Sequence, residues 1–156
     1  MNQSRGFTLI EILVAISIIG LMLGLVLSAG AALQKNGRDA KRKSDLRSIQ
    51  TALQQYYADS NFYPDASFVL TAGQPFIAGG KRYLNEIPKD PNAGSTIPYV
   101  YVPLKVDGSL DCNNSDLLTA CVNYCLYAKL EFGKESFVSI CNETRPEGYN
   151  LDLTQP

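Results

Sequence analysis

One carboxylate, Glu11, lies at the start of a long apolar segment. From Ile12 to Leu33 the chain carries 22 residues without a charge, and at 1.5 Å per residue these would form a helix of about 33 Å. That length is enough to cross the hydrocarbon core of a bilayer. A carboxylate there is unfavourable by roughly 2.5–3.5 kcal/mol near the centre of a spanning helix and by less near its end. We therefore expect Glu11 to have a cationic partner.

A new amino terminus would supply that partner if the chain were cut after Gly6. The α-amino group of Phe7 would then lie one helical turn from Glu11, so the carboxylate could equally pair with the amine of a neighbouring copy. Two plainer interpretations are a secretory signal peptide, cleaved near the small residues 28–31, and a simple membrane anchor. Neither of them explains why a carboxylate stands in the apolar segment.

Four cysteines lie in the last third of the chain: Cys112, Cys121, Cys125 and Cys141. Beside an N-terminal export segment, they favour disulfides in an oxidising compartment outside the cytoplasm. Cys121 and Cys125 would be about 13 Å apart in one strand, too far for a disulfide. A hairpin that turns near Gly133 would place Cys125 opposite Cys141, which leaves Cys112 for Cys121. A zinc site is the competing interpretation, but the paired C-x-x-C spacing is absent.

A polar loop carries three further carboxylates, Asp107, Asp111 and Asp116. Calcium prefers oxygen ligands of this kind, yet the spacing does not match that of an EF-hand loop. We therefore expect a solvated turn, with calcium as the less favoured alternative and no other metal or cofactor. Residues 113–115 and 142–144 match the N-glycosylation pattern, which is common by chance.

The composition excludes several classes of enzyme. The sequence contains no histidine, which removes Ser–His and Cys–His nucleophiles and most catalytic zinc sites. Residues 7–58 carry six Lys and Arg against three acidic residues, whereas residues 59–156, here called the head, carry seven against twelve. Proteins bind phosphates largely through Lys and Arg. We therefore expect that the chain is not an enzyme and that the head binds no nucleic acid directly.

The sequence after residue 33 predicts an amphipathic continuation of the same helix. No glycine or proline occurs between Lys41 and Tyr57, so we expect one helix from Phe7 to Ala58, ended by the polar residues 59–61 and by Pro64. The charges at 38–47 predict a solvated face, with acidic neighbouring heads or anionic lipid as alternative partners. Spacings of three and four residues define one apolar stripe, which comprises Leu46, Ile49, Leu53 and Tyr56.

The head contains three predicted strands, at 99–102, 122–130 and 137–141, with a hairpin loop at 131–135. The tail from 142 to 156 has no periodicity. The predicted fold class is α+β, with a long N-terminal helix packed on a small antiparallel sheet of three or four strands.

Two motifs resemble the type IV pilin family, which includes the pseudopilins of type II secretion. The first is Gly6-Phe7-Thr8-Leu9-Ile10-Glu11 followed by the unbroken apolar helix. The second is Ile87-Pro88-Lys89-Asp90-Pro91, which is similar to the Leu-Pro-x-Asp-Pro motif that precedes the sheet in major pseudopilins and related pilins. With Phe62-Tyr63-Pro64, the resemblance extends to about residue 101.

The resemblance implies four parts: a leader at 1–6, a transmembrane and filament-core helix at 7–33, its amphipathic half at 34–58 and the head at 59–156. A prepilin peptidase would cut between Gly6 and Phe7 and N-methylate Phe7. Glu11 would then assist assembly by pairing with the N-terminus of an adjacent subunit. Because major pseudopilins bind calcium in a late loop, the resemblance also keeps calcium as an alternative at Asp107, Asp111 and Asp116.

We expect a structural subunit that is stored in the cytoplasmic membrane. The inner-membrane assembly machinery would then extract it into an extracellular or periplasmic helical filament of its own copies. The disulfide-stapled head favours a surface type IV pilus, whereas the motif at 87–91 suggests a type II secretion pseudopilin as the alternative. From another class, a membrane-anchored extracytoplasmic binding module would remain a monomer.

Overall fold

The computed structural model describes residues 6–92, 99–132, 139–141 and 144–154, without the side chains of residues 25–29, 31 and 139. The chain divides into two compact units, Met1–Asn36 and Gly37–Pro156. One helix, α1, contributes residues to both units. The elements are α1 (Leu9–Ser60), β1 (Phe76–Ala78), β2 (Lys81–Leu84), β3 (Val100–Leu104), β4 (Asn123–Ala128), a short 3-10 helix (Ser139–Cys141) and β5 (Leu151–Thr154).

The bounds of α1 agree with the predicted helix to within two residues at each end. At its C-terminus Asn61 adopts a positive φ of 62°, and its N–H donates to the carbonyl of Tyr57 at 2.8 Å. A left-handed residue of this kind caps a helix, and Asn tolerates that conformation better than most side chains. The capped end and the following Pro64 stop the helix where the polar triplet predicts.

In the first unit, every described side chain from residue 6 to residue 24 is exposed. Phe7 and Leu9 are both 83% exposed. Ser17 carries the one hydroxyl among the described side chains of the apolar turns. This hydroxyl donates to the carbonyl of Leu13 at 2.7 Å, so it needs no hydrogen-bond partner outside the helix. A helix that is apolar on all sides needs an apolar environment, in a membrane or against other helices.

Among the residues whose side chains are described, no helix combines the length and the apolar character that crossing a membrane requires. The predicted span at 12–33 includes residues 25–29 and 31, whose side chains lie outside that set.

In the second unit, the predicted apolar stripe is confirmed as the helical side of the core. Leu46, Ile49 and Leu53 are each at most 1% exposed. They share one hydrophobic cluster with Tyr124 and Leu126 of β4. Burying a side chain of this size stabilises the fold by about 1.5–3 kcal/mol.

The main sheet is antiparallel with the strand order β3-β4-β5. The central strand β4 is buried on both faces, because its alternate residues enter two clusters. Tyr124 and Leu126 join the core under α1, whereas Cys125 and Tyr127 pack with Leu104. A separate two-stranded hairpin, β1-β2, turns through Gly79 and Gly80, both at positive φ, as a two-residue type I′ turn requires.

One predicted strand is wrong. Residues 137–138 and most of the predicted loop, 133–135, lie outside the described residues, and Ser139–Cys141 forms a 3-10 helix. The third strand of the sheet is instead β5, from the tail that lacks periodicity, and its Leu153 pairs with Leu126. Four residues are too few for an alternating pattern to be recognised in a sequence.

Two disulfides join Cys112 to Cys121 and Cys125 to Cys141. This is the pairing that the strand geometry favours, although Cys141 lies in the 3-10 helix and not in a hairpin strand. The zinc alternative is wrong because all four sulfurs are oxidised in pairs. In the chain-entropy view, closing a loop of about 15 residues stabilises a domain by about 3 kcal/mol.

The expectation of a solvated charged face on α1 is wrong for Asp39, Arg42 and Asp45, which are at most 6% exposed. Arg42 is 2% exposed, and its guanidinium donates to both carboxylate oxygens of Asp90, at 2.7 and 3.0 Å. It also donates to Asp39 at 2.7 Å and to Glu131 at 3.2 Å. Three carboxylates from different parts of the second unit therefore meet at one buried cation.

Neighbouring side chains extend this ion network. Arg38 donates two hydrogen bonds of 2.6 Å to Glu131, and Asp39 accepts the backbone N–H groups of Glu131 and Phe132 at 2.9 and 2.8 Å. The hydrogen bonds from Arg38 lower the pKa of Glu131 from 4.5 to about 2. A lowered acidic pKa stabilises the fold above pH 4.5, and this stabilisation is lost as the pH falls towards 2.

Replacing Arg42 with leucine should lower the free energy of unfolding by about 3–5 kcal/mol, because it leaves buried carboxylates without their cation. The loss is measurable as a lower urea midpoint by tyrosine fluorescence, since the chain has nine tyrosines and no tryptophan. The matched control is Arg47→Leu on the exposed face of the same helix, which should change the free energy by less than about 0.5 kcal/mol. Equal effects of the two substitutions would contradict a structural role for the network.

Candidate functional site

The candidate site is the beginning of α1, where Thr8 and Glu11 form a closed hydrogen-bonded pair. The backbone N–H and the hydroxyl of Thr8 donate to Oε2 of Glu11 at 2.9 and 2.8 Å. In return, the N–H of Glu11 donates to the Thr8 hydroxyl at 3.3 Å. With Leu9 as the first helical residue, Thr8 is the N-cap and Glu11 the third residue of the helix. This is the reciprocal arrangement known as a capping box.

The capping box has two consequences for Glu11. Its charge lies in the first turn of the helix, where the helix dipole favours an anion. Both bonds to its carboxylate end on Oε2, and a carboxylate with two oxygens can accept further donors. The side chain is therefore held in a fixed position and retains the capacity to bind a cation.

The capping box was readable in the sequence, because Thr8-Leu9-Ile10-Glu11 matches the S/T-x-x-E pattern ahead of an apolar run. From the sequence, a cationic partner was predicted for Glu11, but Glu11 was not identified as a capping residue. The two roles are compatible, since the cap involves neutral donors and leaves the negative charge uncompensated.

Gly6 and Phe7 precede the helix in an exposed, non-helical segment. A protease can bind a segment of this kind in an extended form, whereas a helical peptide bond would first have to unwind. The predicted cleavage position therefore lies two residues before α1, directly next to the capping box.

Two shallow apolar depressions, both wide open to solvent, lie along the same turns of the helix. One, of about 450 Å³, is lined by residues that include Phe7, Leu9 and Leu13. The other, of about 350 Å³, is lined by Glu11 and by apolar residues of the next two turns, including Val14. Apolar grooves beside one fixed carboxylate suit the packing of another apolar helix that brings a positive charge.

The structure does not bring Asp107, Asp111 and Asp116 together as a metal site. Asp107 accepts the N–H and hydroxyl of Ser109 at 2.9 and 2.6 Å, and Asp116 accepts two backbone N–H groups at 2.8 and 2.9 Å. Within the described ranges, no group of three or more metal-ligating side chains is placed to hold an ion. The carboxylates of Asp107 and Asp116 instead order their own turns.

Comparisons with known proteins include the segment that contains this site. Residues 1–27 match the family model described as the prokaryotic N-terminal methylation motif. Type II secretion system core protein G of Pseudomonas aeruginosa is 31% identical over 118 residues, which cover 70% of this chain and 81% of that protein. The protein of the same name from Escherichia coli K12 is 32% identical over 98 residues, 58% of this chain and 68% of that one.

A third relative is the type IV major pilin protein PilA of Myxococcus xanthus. It is 27% identical over 63 residues, which cover 40% of this chain and 29% of that protein. No solved structure shows a significant match.

Millimolar calcium should leave the thermal midpoint of the protein unchanged, because Asp107, Asp111 and Asp116 do not converge on one point where an ion could bind. A calcium site with ligand at 100 times its dissociation constant would add about 2.7 kcal/mol to the free energy of unfolding. Differential scanning calorimetry with calcium and with chelator distinguishes the two cases. A rise in the midpoint that Asp111→Asn abolishes would establish a calcium loop.

Proposed function

Because the chain belongs to the type IV pilin family, we propose that it is the major pseudopilin of a type II secretion system. In this role it is a structural subunit that polymerises after removal of its leader. The observation that carries the proposal is the similarity to core protein G over 118 residues. This favours the alternative in the sequence analysis over the surface pilus that was preferred there.

A surface type IV pilus is the second candidate. It is supported by the similarity to PilA and by the two disulfides of the head. Both candidates share the same chemistry at the N-terminus, and they differ in where the filament is built and what it does. No catalytic role and no bound metal is part of either proposal.

The first step of the proposed mechanism is processing by a prepilin peptidase. The exposed, non-helical Gly6 and Phe7 offer the peptide bond to be cut. Cleavage leaves Phe7 as the first residue, and methylation keeps its amine positively charged. The new charge is created one residue before Thr8, where the capping box already holds Glu11.

The second step is the exchange of partners by the apolar helix. Before assembly, the membrane surrounds the apolar segment at residues 7–33, whose described side chains at 7–24 are exposed. The inner-membrane assembly machinery then brings these side chains against the same segment of other copies. Pairing of Glu11 with the Phe7 amine of an adjacent copy sets the axial register, because a misplaced subunit would leave both charges unpaired in an apolar core.

Deleting the gene in its natural host tests the choice between the two candidates. For a major pseudopilin, proteins that are normally secreted should accumulate in the periplasm, while any surface pili remain. Fractionation of the culture and electron microscopy of sheared filaments measure both outcomes. Normal secretion together with loss of surface filaments would favour the type IV pilus.

Two substitutions of Glu11 separate its two roles. Glu11→Gln preserves the capping box, which accepts glutamine, but removes the charge; Glu11→Ala removes both. We expect filament yield to fall by about tenfold or more in both variants, since an unpaired buried charge costs about 3–5 kcal/mol. Quantitative blotting of sheared filaments measures the yield.

The matching controls are membrane insertion and the processed N-terminus. Mass spectrometry should find N-methylated Phe7 as the first residue of the wild type, and both variants should remain in the membrane fraction. Normal filament yield in Glu11→Gln would show that the cap, and not the charge, is what assembly requires. An unprocessed Met1 in the wild type, or a monomer that never polymerises, would overturn the proposed function and favour the binding module.

A further inference from the structure

The head presents two adjacent leucines almost completely to solvent. Leu117 is 94% exposed and Leu118 is 85% exposed. Isolated exposed leucines are common, but two neighbouring ones form an apolar projection that water solvates poorly. We call these two side chains the leucine knob.

The knob is held on a rigid loop. The Cys112–Cys121 disulfide closes the loop, and both cysteines are buried. Asp116 accepts the backbone N–H groups of Leu118 and Thr119 at 2.8 and 2.9 Å. A projection that is already ordered loses little conformational entropy when it binds a partner.

Hydrogen bonds also fasten the base of this loop to the rest of the head. The side-chain amide of Asn114 donates to the carbonyl of Tyr63 at 2.9 Å. Its oxygen accepts the N–H of Cys121 at 2.7 Å. The loop therefore presents the knob in one orientation relative to the core.

A groove of about 380 Å³ on the surface of the head has the complementary character, and Asn114 of the loop that carries the knob is one of its lining residues. Aromatic and aliphatic side chains, with a few polar ones, line it; among them are Tyr56, Phe62, Phe68, Phe76 and Ile77. The ring centroids of Tyr56 and Phe76 lie 5.7 Å apart, and those of Phe68 and Phe76 lie 4.5 Å apart. These rings pack against one another, so the groove is formed before any partner binds.

The groove has charges of both signs, because Asp65 lines it and accepts hydrogen bonds from the N–H and the hydroxyl of Ser67, while a cation lies beside it. Ile77 at the groove is paired across the β1-β2 hairpin with Arg82, and directly opposite residues of two strands point to the same face. The exposed Arg82 therefore flanks the groove with positive charge. The knob is accompanied by the exposed carboxylates of Asp111 and Asp116.

From these observations we infer that the leucine knob of one copy inserts into the aromatic groove of a neighbouring copy, with Asp111 facing Arg82. The exposure of Leu117 and Leu118 shows that the knob does not occupy the groove of its own chain. The acidic loop is also a poor ligand for an anionic membrane. A second copy supplies both the apolar groove and the positive flank.

A knob that binds a different patch on the next copy makes a heterologous contact. Such contacts propagate into open helical filaments unless the rotation between copies closes a ring. The inference rests on the proposed function, because it assigns this contact to the heads of the polymer. It adds a second specific contact to the one at the beginning of α1.

Site-specific photo-cross-linking tests the contact in the full-length chain. With p-benzoyl-phenylalanine at position 118, irradiation of assembled filaments should give a dimer whose cross-linked peptide maps to residues 56–78 of the second copy. A cross-link that maps to another region, to lipid or to a different protein would overturn the inference.

Substitutions on each side provide an independent measurement. Leu117→Ser combined with Leu118→Ser, and separately Ile77→Glu, should each reduce filament yield by about tenfold, as expected for central interface residues. The matched control is Val106→Ser, at a side chain that is 74% exposed but lies outside the disulfide-closed loop, and it should leave the yield unchanged.

Peptide mapping of both disulfides and the thermal midpoint verify that each variant is folded. Normal filament yield in the knob variant would overturn the inference while leaving the proposed function intact. If the wild type formed no filament, the proposed function would fail. The cross-link in concentrated, detergent-solubilised full-length protein would then still decide whether the knob binds the groove.

Discussion

The buried guanidinium of Arg42 is the interaction on which the arrangement of the second unit depends. It joins α1 to Asp90 in the segment before the main sheet and to Glu131 after β4. Apolar packing holds the helix against the sheet but has no direction, whereas a planar guanidinium with its donors in a fixed fork permits few arrangements of its acceptors. A register shift of α1 would leave several buried charges unpaired, so the ion network fixes the register that the apolar stripe only approximates.

The motif at 87–91 acquires a physical role from the same network. Its aspartate, Asp90, accepts two hydrogen bonds from Arg42 and one from the backbone N–H of Asn92 at 2.8 Å. Burial alone would raise the pKa of Asp90, and the bonds from Arg42 lower it. The prolines on both sides restrict the backbone and thereby hold this carboxylate ready for the guanidinium.

The beginning of α1 and the head contribute to the proposed self-association in different ways. In the assembly that we propose, the fixed charge of Glu11 at the beginning of α1 gives specificity, because the wrong register leaves it unpaired. On the head, pre-ordered apolar and aromatic groups supply the contact, because a rigid loop loses little entropy on binding. The disulfides belong to this second strategy, since they order loops in a small domain whose apolar core is limited.

The sequence by itself determined the features that depend on local order. Spacings of three and four residues defined the buried stripe at Leu46, Ile49 and Leu53, whereas cleavage between Gly6 and Phe7 and the assembly role of Glu11 stay predictions of the N-terminal motif. The Thr8–Glu11 cap was equally local and could have been read from its four-residue pattern. Only the tertiary structure decided that Arg42 is buried, because its partners Asp90 and Glu131 are 48 and 89 residues away in the chain. It also decided that the short β5 completes the sheet. Four residues are too few for a recognisable hydrophobic alternation, so this strand forms because it pairs with the edge of β4.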